Sequence, residues 1–122
     1  MTAFFKLHNI IAAWLICLCL NASAQSNIFV QFRIVTPLDQ QMAAEVDKKM
    51  SGKDGVLESR TDFVTGTYFC LLNPESTFTK ENFVAWFTKM GLEIACYTKG
   101  IQGTDATISP HVLKTCTDEK TE

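Results

Sequence analysis

The sequence has few of the residue patterns on which enzymes and nucleic-acid-binding proteins depend. Histidine occurs twice in 122 residues, and only His111 lies beyond the first 24 residues, so no serine or cysteine has an evident base partner. Acidic residues outnumber basic ones, and the formal net charge of −2 argues against a nucleic-acid footprint. Gly52 and Gly55 form no phosphate-binding pattern. We therefore expect neither an enzyme nor a nucleic-acid partner.

A second long apolar segment is also absent, and the first one is short. The apolar run Ile10–Leu20 follows Lys6 and ends near Ala22-Ser23-Ala24, which has the small-x-small form of a signal-peptidase site. The run is well below the roughly 20 residues that span a membrane. Residues 1–24 are therefore predicted to be a signal peptide, which leaves an exported protein, periplasmic or secreted, with no stable membrane anchor after cleavage.

The chain after Gln25 opens with a strand pattern followed by a helix pattern. Alternation over Ile28–Val35 predicts a strand whose even-numbered side chains are buried. Thr36 and Pro37 then fit the cap and first residue of a helix. An apolar stripe recurs every four residues along this predicted helix, at Leu38, Met42, Val46 and Met50.

The remaining elements complete a six-element order. We predict strands over Val56–Phe63, Thr67–Leu72 and Leu92–Tyr97, and a helix over Lys80–Met90 that Thr79 caps and Gly91 ends. This order predicts an α+β fold, the ferredoxin-like βαββαβ two-layer sandwich. Its four-stranded antiparallel sheet has the order 4-1-3-2, with two helices on one face. The domain covers residues 25–98, and residues 99–122 form a C-terminal tail that either contains a short helix from Ser109-Pro110 or is mobile.

Over Ile28–Tyr97 the chain resembles the heavy-metal-associated domain family, the small carriers and pump domains for copper and related soft ions. The shared landmarks are spacings: Phe32 and Ile34, Val46 and Met50, Gly55-Val56, Thr65-Gly66 and Gly91. The family holds its ion with a Gly-Met-x-Cys-x-x-Cys loop after the first strand. An ungapped alignment places those cysteines on Asp39 and Met42. The resemblance thus implies the same fold in a degenerate member that lacks the metal-binding motif.

The substitutions in that loop remove the chemistry of the family site. Two thiolates bind a soft ion because both are anionic and polarizable, whereas a carboxylate is hard and a thioether is neutral. Met42 lies in the apolar stripe, which favours a core residue. Asp39 suits the first turn or the cap of the helix. No cofactor is therefore expected at this loop.

The cysteines beyond the signal peptide offer a bridge or, alternatively, a metal site. Cys70 and Cys96 lie on predicted strands that flank the first strand, about 9–10 Å apart and beyond the roughly 7 Å limit for a direct disulfide. Cys116 can reach either, and a Cys96–Cys116 bridge is favoured. The parity that Cys96 shares with Ile94 instead favours a small buried hydrophobe. The weaker alternative is a soft-metal site, copper for example, with candidate ligands Cys96, Cys116, His111 and Met42.

The outer face of the predicted sheet, which the helices leave uncovered, is a candidate protein interface. Odd-numbered residues of the first strand would point there, and aromatic residues of the third and fourth strands could join them. The candidate interface residues are Phe29, Arg33, Phe69 and Tyr97. An equally open alternative is that the tail folds back and covers this face.

Two functional hypotheses follow from these patterns. The first is an exported, non-enzymatic binding module that has the heavy-metal-associated-like fold, has lost the thiol pair and contacts an unknown protein partner or ligand. The alternative is a soft heavy-metal, copper-type binding or carrier protein of the bacterial envelope that uses Cys70, Cys96, Cys116 or Met42.

Overall fold

The computed structural model describes residues 25–118, so the predicted signal peptide at 1–24 lies outside the described residues, as do residues 119–122. No helix within 25–118 has the length and apolar character needed to cross a membrane. The elements in chain order are β1 (Ile28–Ile34), α1 (Gln40–Ser51), β2 (Val56–Asp62), β3 (Thr67–Leu72), α2 (Lys80–Lys89), β4 (Ile94–Ile101) and α3 (Pro110–Leu113).

The sheet has four strands in the order β2-β3-β1-β4, and every neighbouring pair is antiparallel. This is the predicted order read from the other edge, and it confirms the α+β ferredoxin-like sandwich. Central β1 pairs with β3 and β4. Strands β2 and β4 therefore form the two edges of the sheet.

The core lies between the inner face of the sheet and helices α1 and α2. Val30, Phe32 and Ile34 are at most 3% exposed, which confirms that the even-numbered side chains of β1 face the helices. The ring of Phe32 lies 4.8 Å from Tyr68 and 4.9 Å from Phe87, measured between centroids. The helices contribute Val46 and Met50 from α1, and Phe83 and Phe87 from α2.

The start of α1 differs from the predicted start. Asp39, not Thr36, is the N-cap, and its Oδ1 accepts a 2.8 Å hydrogen bond from the backbone N–H of Met42. The Thr36 hydroxyl instead accepts a hydrogen bond from the backbone N–H of Glu93, 2.9 Å away. A carboxylate is a strong cap, and here it determines where the helix begins.

The second helix begins at Lys80 as predicted and ends at Lys89, one residue before the predicted end. Thr79 and Asn82 form a reciprocal capping box at its start. At its end Gly91 has a φ of 78°, and the backbone N–H of Leu92 donates to the carbonyl of Phe87 at 2.9 Å. This is the left-handed termination that glycine favours.

The last strand was predicted at Leu92–Tyr97, but β4 begins at Ile94 and continues to Ile101. Leu92 belongs to the helix-ending turn, and Ile101 pairs with Ile28 at the far end of β1. Of the two alternatives for the tail, the structure has the short helix. It begins where Ser109-Pro110 indicated, with the Ser109 hydroxyl accepting from the backbone N–H of His111.

Candidate functional site

The loop between β1 and α1, where the resembled family holds its metal, is used for helix capping and packing in this chain. The Asp39 carboxylate is bonded to the start of α1. Met42 is half-buried against the core cluster. The geometry supports the interpretation of Asp39 as a cap and of Met42 as a core residue.

A β-bulge in β4 changes which side chains face outward. Gln31 pairs with Thr98 while Arg33 pairs with Ala95, so Cys96 and Tyr97 together lie opposite Phe32. Cys96 has a φ of 60°, the one non-glycine residue with positive φ among residues 25–118. Before the bulge the even-numbered side chains of β4 face the helices, and beyond it the odd-numbered ones do. We refer to this change as the inverted parity of the strand.

The inverted parity places Tyr97 on the inner face, so the prediction that Tyr97 belongs to an outer interface is wrong. Its ring stacks on Phe32 at 6.3 Å and lies 5.9 Å from Phe83. Burial, and secondly the charge of Glu81, raises the pKa of the Tyr97 phenol. The same inversion frees Cys96 from the core position that its shared parity with Ile94 indicated.

Cys96 is joined to Cys116 by a disulfide that ties the tail to β4. The two sulfurs are 2.06 Å apart, and the Cα atoms are separated by 6.4 Å. Two hydrogen bonds reinforce the tie: Asp118 Oδ1 accepts from the Cys96 N–H at 3.0 Å, and Arg33 Nη1 donates to the Cys116 carbonyl at 3.0 Å. The end of the tail is therefore fixed at the β1–β4 side of the sheet.

The tail also covers the middle of the outer face. The side chain of Gln31 is only 5% exposed. Its Nε2 donates to the carbonyl of Ile108, and its Oε1 accepts from the N–H of Ile108, both at 2.8 Å. Leu113 of α3 is 2% exposed. Of the two alternatives for this face, the structure therefore has the tail over the half formed by β1 and β4.

Phe29 does not belong to an exposed interface. Its ring points outward from β1 but is 1% exposed. Gly100 lies directly against it, since a Cβ at Gly100 would lie 2.5 Å from the Phe29 ring and 3.0 Å from the Cβ of Asp105. In the covered half of the outer face, the tail thus lies over Gly100 and the buried ring of Phe29.

The half of the outer face formed by β2 and β3 is open. Phe69 is half-buried there and stacks on Phe29 at 6.4 Å. The guanidinium of Arg60 lies 4.8 Å above the Phe69 ring, and its Nε is 2.6 Å from a carboxylate oxygen of Glu58. The Arg60 side chain is 69% exposed, so this cation is accessible to a partner.

A groove of about 760 Å³ separates this open half from the tail. One wall is the β2–β3 hairpin with Arg60, Phe63 and Phe69, and the other is the tail with Ile108, Pro110 and Leu113. The carboxylates of Asp47 and Asp62 also line the groove. Phe63 is 42% exposed at one end. We call this feature the tail groove, and it brings Phe69 of the predicted interface together with residues that sequence reasoning did not select.

Both edges of the sheet have backbone N–H groups bonded to carboxylates. On β2, the N–H of Thr61 donates to Asp47 Oδ2 at 3.2 Å. On β4, the N–H of Cys96 donates to Asp118, and that of Ile101 donates to Asp105 Oδ2 at 2.8 Å. Backbone N–H donors that are already bonded at a sheet edge oppose the addition of another strand there.

The remaining thiol, Cys70, is enclosed in the core. It is 0% exposed, and burial raises its pKa from the ordinary 9.0 to about 11. Nearby, the Tyr68 hydroxyl is 2.8 Å from Ser59 Oγ, which donates to Asp47 Oδ1 at 2.8 Å. This chain of hydrogen bonds joins α1, β2 and β3, so it holds the first helix against the β2–β3 hairpin.

The candidate metal ligands do not converge in the structure. Cys96 and Cys116 are joined as a disulfide, Met42 packs against the core, and His111 is exposed on α3. Within residues 25–118, no three or more His, Cys, Asp or Glu side chains are grouped so that they could hold a metal ion.

Comparison with known proteins gives a partial likeness to a solved structure. No family model matches the chain, and no curated protein matches it. A solved structure, the N-terminal domain of a potential copper-translocating P-type ATPase from Bacillus subtilis in the Cu(I)-loaded state, is 18% identical with a TM-score of 0.49. The match covers 56% of this chain and 84% of that chain. The strand order and helix placement described above, rather than this likeness, define the fold.

Proposed function

We propose that the protein is an exported, non-enzymatic binding module that contacts a partner polypeptide through the tail groove. It uses the ferredoxin-like fold of the heavy-metal-associated family without that family's thiol pair. The observation that carries the proposal is the groove itself, about 760 Å³ between the tail and the one part of the outer face that the tail leaves open. We propose no resident cofactor.

The lining of the groove defines the partner. Phe69 and Ile108 are half-buried, and Phe63 is 42% exposed, so an entering apolar side chain would remove apolar surface from water on both walls. At the rim, the Arg60 guanidinium forms an ion pair with the exposed Glu58. A partner carboxylate can take the place of Glu58. We infer that the partner presents a bulky apolar residue next to an acidic one.

The edges of the sheet favour insertion of side chains over addition of a strand. Peptides that extend a sheet need free backbone donors at its edge. Thr61 on β2 has its N–H bonded to Asp47, and Ile101 on β4 has its N–H bonded to Asp105. These bonds occupy some of the edge donors, and we propose that a partner segment is recognised mainly by its side chains in the groove.

The tail wall is held in place before any partner arrives. Gln31 holds Ile108 by two hydrogen bonds, and the Cys96–Cys116 disulfide anchors the segment beyond α3. A preformed wall lowers the ordering cost of binding. The disulfide also supports export, because such bonds persist in oxidising compartments. It occupies two of the three cysteines that the soft-metal alternative could use as thiolates, Cys96 and Cys116.

A selection from random linear peptides displayed on phage, with the intact oxidised protein as bait, tests this function. We expect enriched sequences to share an aromatic or large aliphatic residue adjacent to Asp or Glu. Synthetic peptides of the enriched sequence should bind Phe69→Ala roughly tenfold more weakly. Arg60→Met should weaken the acidic peptides but not their Asn or Gln counterparts.

Val84→Ala is the matched control, because Val84 is an exposed apolar residue, 39% exposed, on α2 outside the groove. Its affinity for the peptides should equal that of the unchanged protein. Equal binding to Phe69→Ala and the unchanged protein would contradict the proposal, and so would enriched sequences without an apolar residue.

A further inference from the structure

A second pocket lies at the other end of the sandwich from the tail groove. It has a volume of about 500 Å³ and is formed where the loop from α1 to β2 meets the loop from β3 to α2. Strand β2 begins beside this pocket at Val56 and ends beside the tail groove at Asp62. The pocket is lined by Lys53, Asp54, Gly55, Asn73, Glu75, Ser76, Thr77, Phe78 and Trp86.

The aromatic wall of this pocket already holds an ammonium group of the chain. The Nζ atom of Lys53 lies 4.2 Å from the centroid of the Trp86 ring. Phe78 meets Trp86 edge to face at 4.9 Å, which fixes the plane of the indole. An indole face attracts cations more strongly than the other aromatic rings do. The wall is therefore built to receive a positively charged group.

The oxygen atoms that line the pocket also favour a positively charged hydrogen-bond donor. Asn73 Oδ1 is buried and accepts no hydrogen bond from residues 25–118. Two carboxylates, Asp54 and Glu75, line the same pocket, and Lys53 is the only cation among the lining residues. A buried acceptor is satisfied by an N–H donor, and an unpaired carboxylate favours a positive charge.

We propose that this pocket binds an alkylammonium group, from a small diamine or from a lysine side chain of a partner protein, in exchange for Lys53. The incoming ammonium lies against Trp86, donates to Asn73 Oδ1 and is paired with Asp54 and Glu75. Lys53 is on the loop after α1, so its side chain can leave the ring without moving a helix or a strand. The site shares no residue with the tail groove, and its failure would leave the proposed partner binding untouched.

Tryptophan fluorescence gives a direct readout of this site. The chain contains two tryptophans, Trp14 and Trp86, so Trp14→Phe in the full chain leaves Trp86 as the sole indole. This protein is titrated at constant ionic strength with cadaverine, and separately with N-acetyl-lysine N-methylamide. Pentanediol and N-acetyl-norleucine N-methylamide are the matched uncharged probes. We expect a saturable change with at least one amine and none with the uncharged probes.

Variants distinguish an ammonium site from a site in which Lys53 itself is the ligand-binding group. Lys53→Met should tighten amine binding by roughly threefold, because the internal competitor is gone. Asn73→Ala should weaken it by a similar factor, and Thr88→Ala, an exposed change on the same helix as Trp86, should leave it unchanged.

The two amine probes separate the two sources. Saturation by cadaverine alone supports a small diamine, and saturation by the blocked lysine supports a partner side chain. The proposal is overturned if neither amine saturates, if the uncharged probes give the same change, or if Lys53→Met abolishes the response.

Discussion

The two faces of the sheet are stabilised in different ways. On the inner face, Phe32 lies among Tyr68, Phe83 and Phe87 with no exposed surface of its own. On the outer face, the tail is held by a disulfide and by directional hydrogen bonds from Gln31 and Arg33. Apolar packing on the inner face supports the whole fold, whereas the links on the outer face place one segment. The tail over the outer face, which we call the cover, is therefore separable from the core. We expect a partner at the open half of the outer face, next to the cover.

The largest expected effect comes from breaking the inner face. Phe32→Ala should lower the free energy of unfolding by about 3–5 kcal/mol, because it leaves a cavity beneath Phe83 and Phe87 of α2. Phe69→Ala, a matched change on the open outer face, should cost about 1 kcal/mol, since its ring is only half-buried. Urea unfolding measures both values. Similar losses for the two variants would contradict the division between the faces.

Removing the disulfide should have the next largest effect. The bond closes a loop between residues that are 20 apart in sequence, so replacing Cys96 and Cys116 together by Ser should cost about 3 kcal/mol. We expect the urea transition to remain single and steep, because the inner core is unchanged. A broad or biphasic transition would show that the tail and the core do not behave as we describe.

Alkaline pH should weaken the inner face through Cys70. Its folded pKa is raised to about 11, so the fold favours the protonated thiol. This contribution is complete below the ordinary thiol pKa of 9.0 and is lost as pH rises through the folded value, by about 2–3 kcal/mol in total. Burial also raises the pKa of Tyr68, which acts in the same direction.

The test of that pH effect is the free energy of unfolding measured in urea between neutral and strongly alkaline pH. Cys70→Ala should show a shallower decline above about pH 9 than the unchanged protein. Curves of identical slope would mean that the Cys70 thiol does not contribute to the decline.

A smaller effect than that of the disulfide is expected from loosening the cover alone. Gln31→Met removes both hydrogen bonds to the backbone of Ile108 and should cost about 1–2 kcal/mol. The amide of Ile108 should exchange faster with solvent, which hydrogen exchange by NMR measures. Gln41→Met is the control, because Gln41 is exposed on α1. Equal exchange in the two variants would argue against Gln31 as the link.

The inner face could be predicted from sequence because its pattern is local. The alternation in β1, the four-residue stripe of α1 and the Thr79 and Gly91 signals of α2 each determine a boundary or a buried side. The strand order then follows from general rules of chain connection. The start of α1 was missed because both Thr36 and Asp39 are good caps, and only the structure shows which one is used.

The outer face was harder to predict because it depends on a bulge and on distant contacts. Cys96 adopts a positive φ that no glycine marks in the sequence, so an uninterrupted alternation placed Tyr97 on the wrong side. Gln31 and Ile108 are 77 residues apart. The available signals were Ser109-Pro110 and three large aliphatic residues that follow β4, Ile108, Val112 and Leu113.

Hydrogen exchange by NMR on the oxidised and the dithiothreitol-reduced protein tests the separability of the cover most directly. We expect reduction of the Cys96–Cys116 bond to remove protection from the amides of Ile108, Leu113 and Cys116. The amides of Val30 and Phe32 in central β1 should keep their protection. Equal loss in β1, or unchanged protection of the tail, would contradict a cover that is held separately from the core.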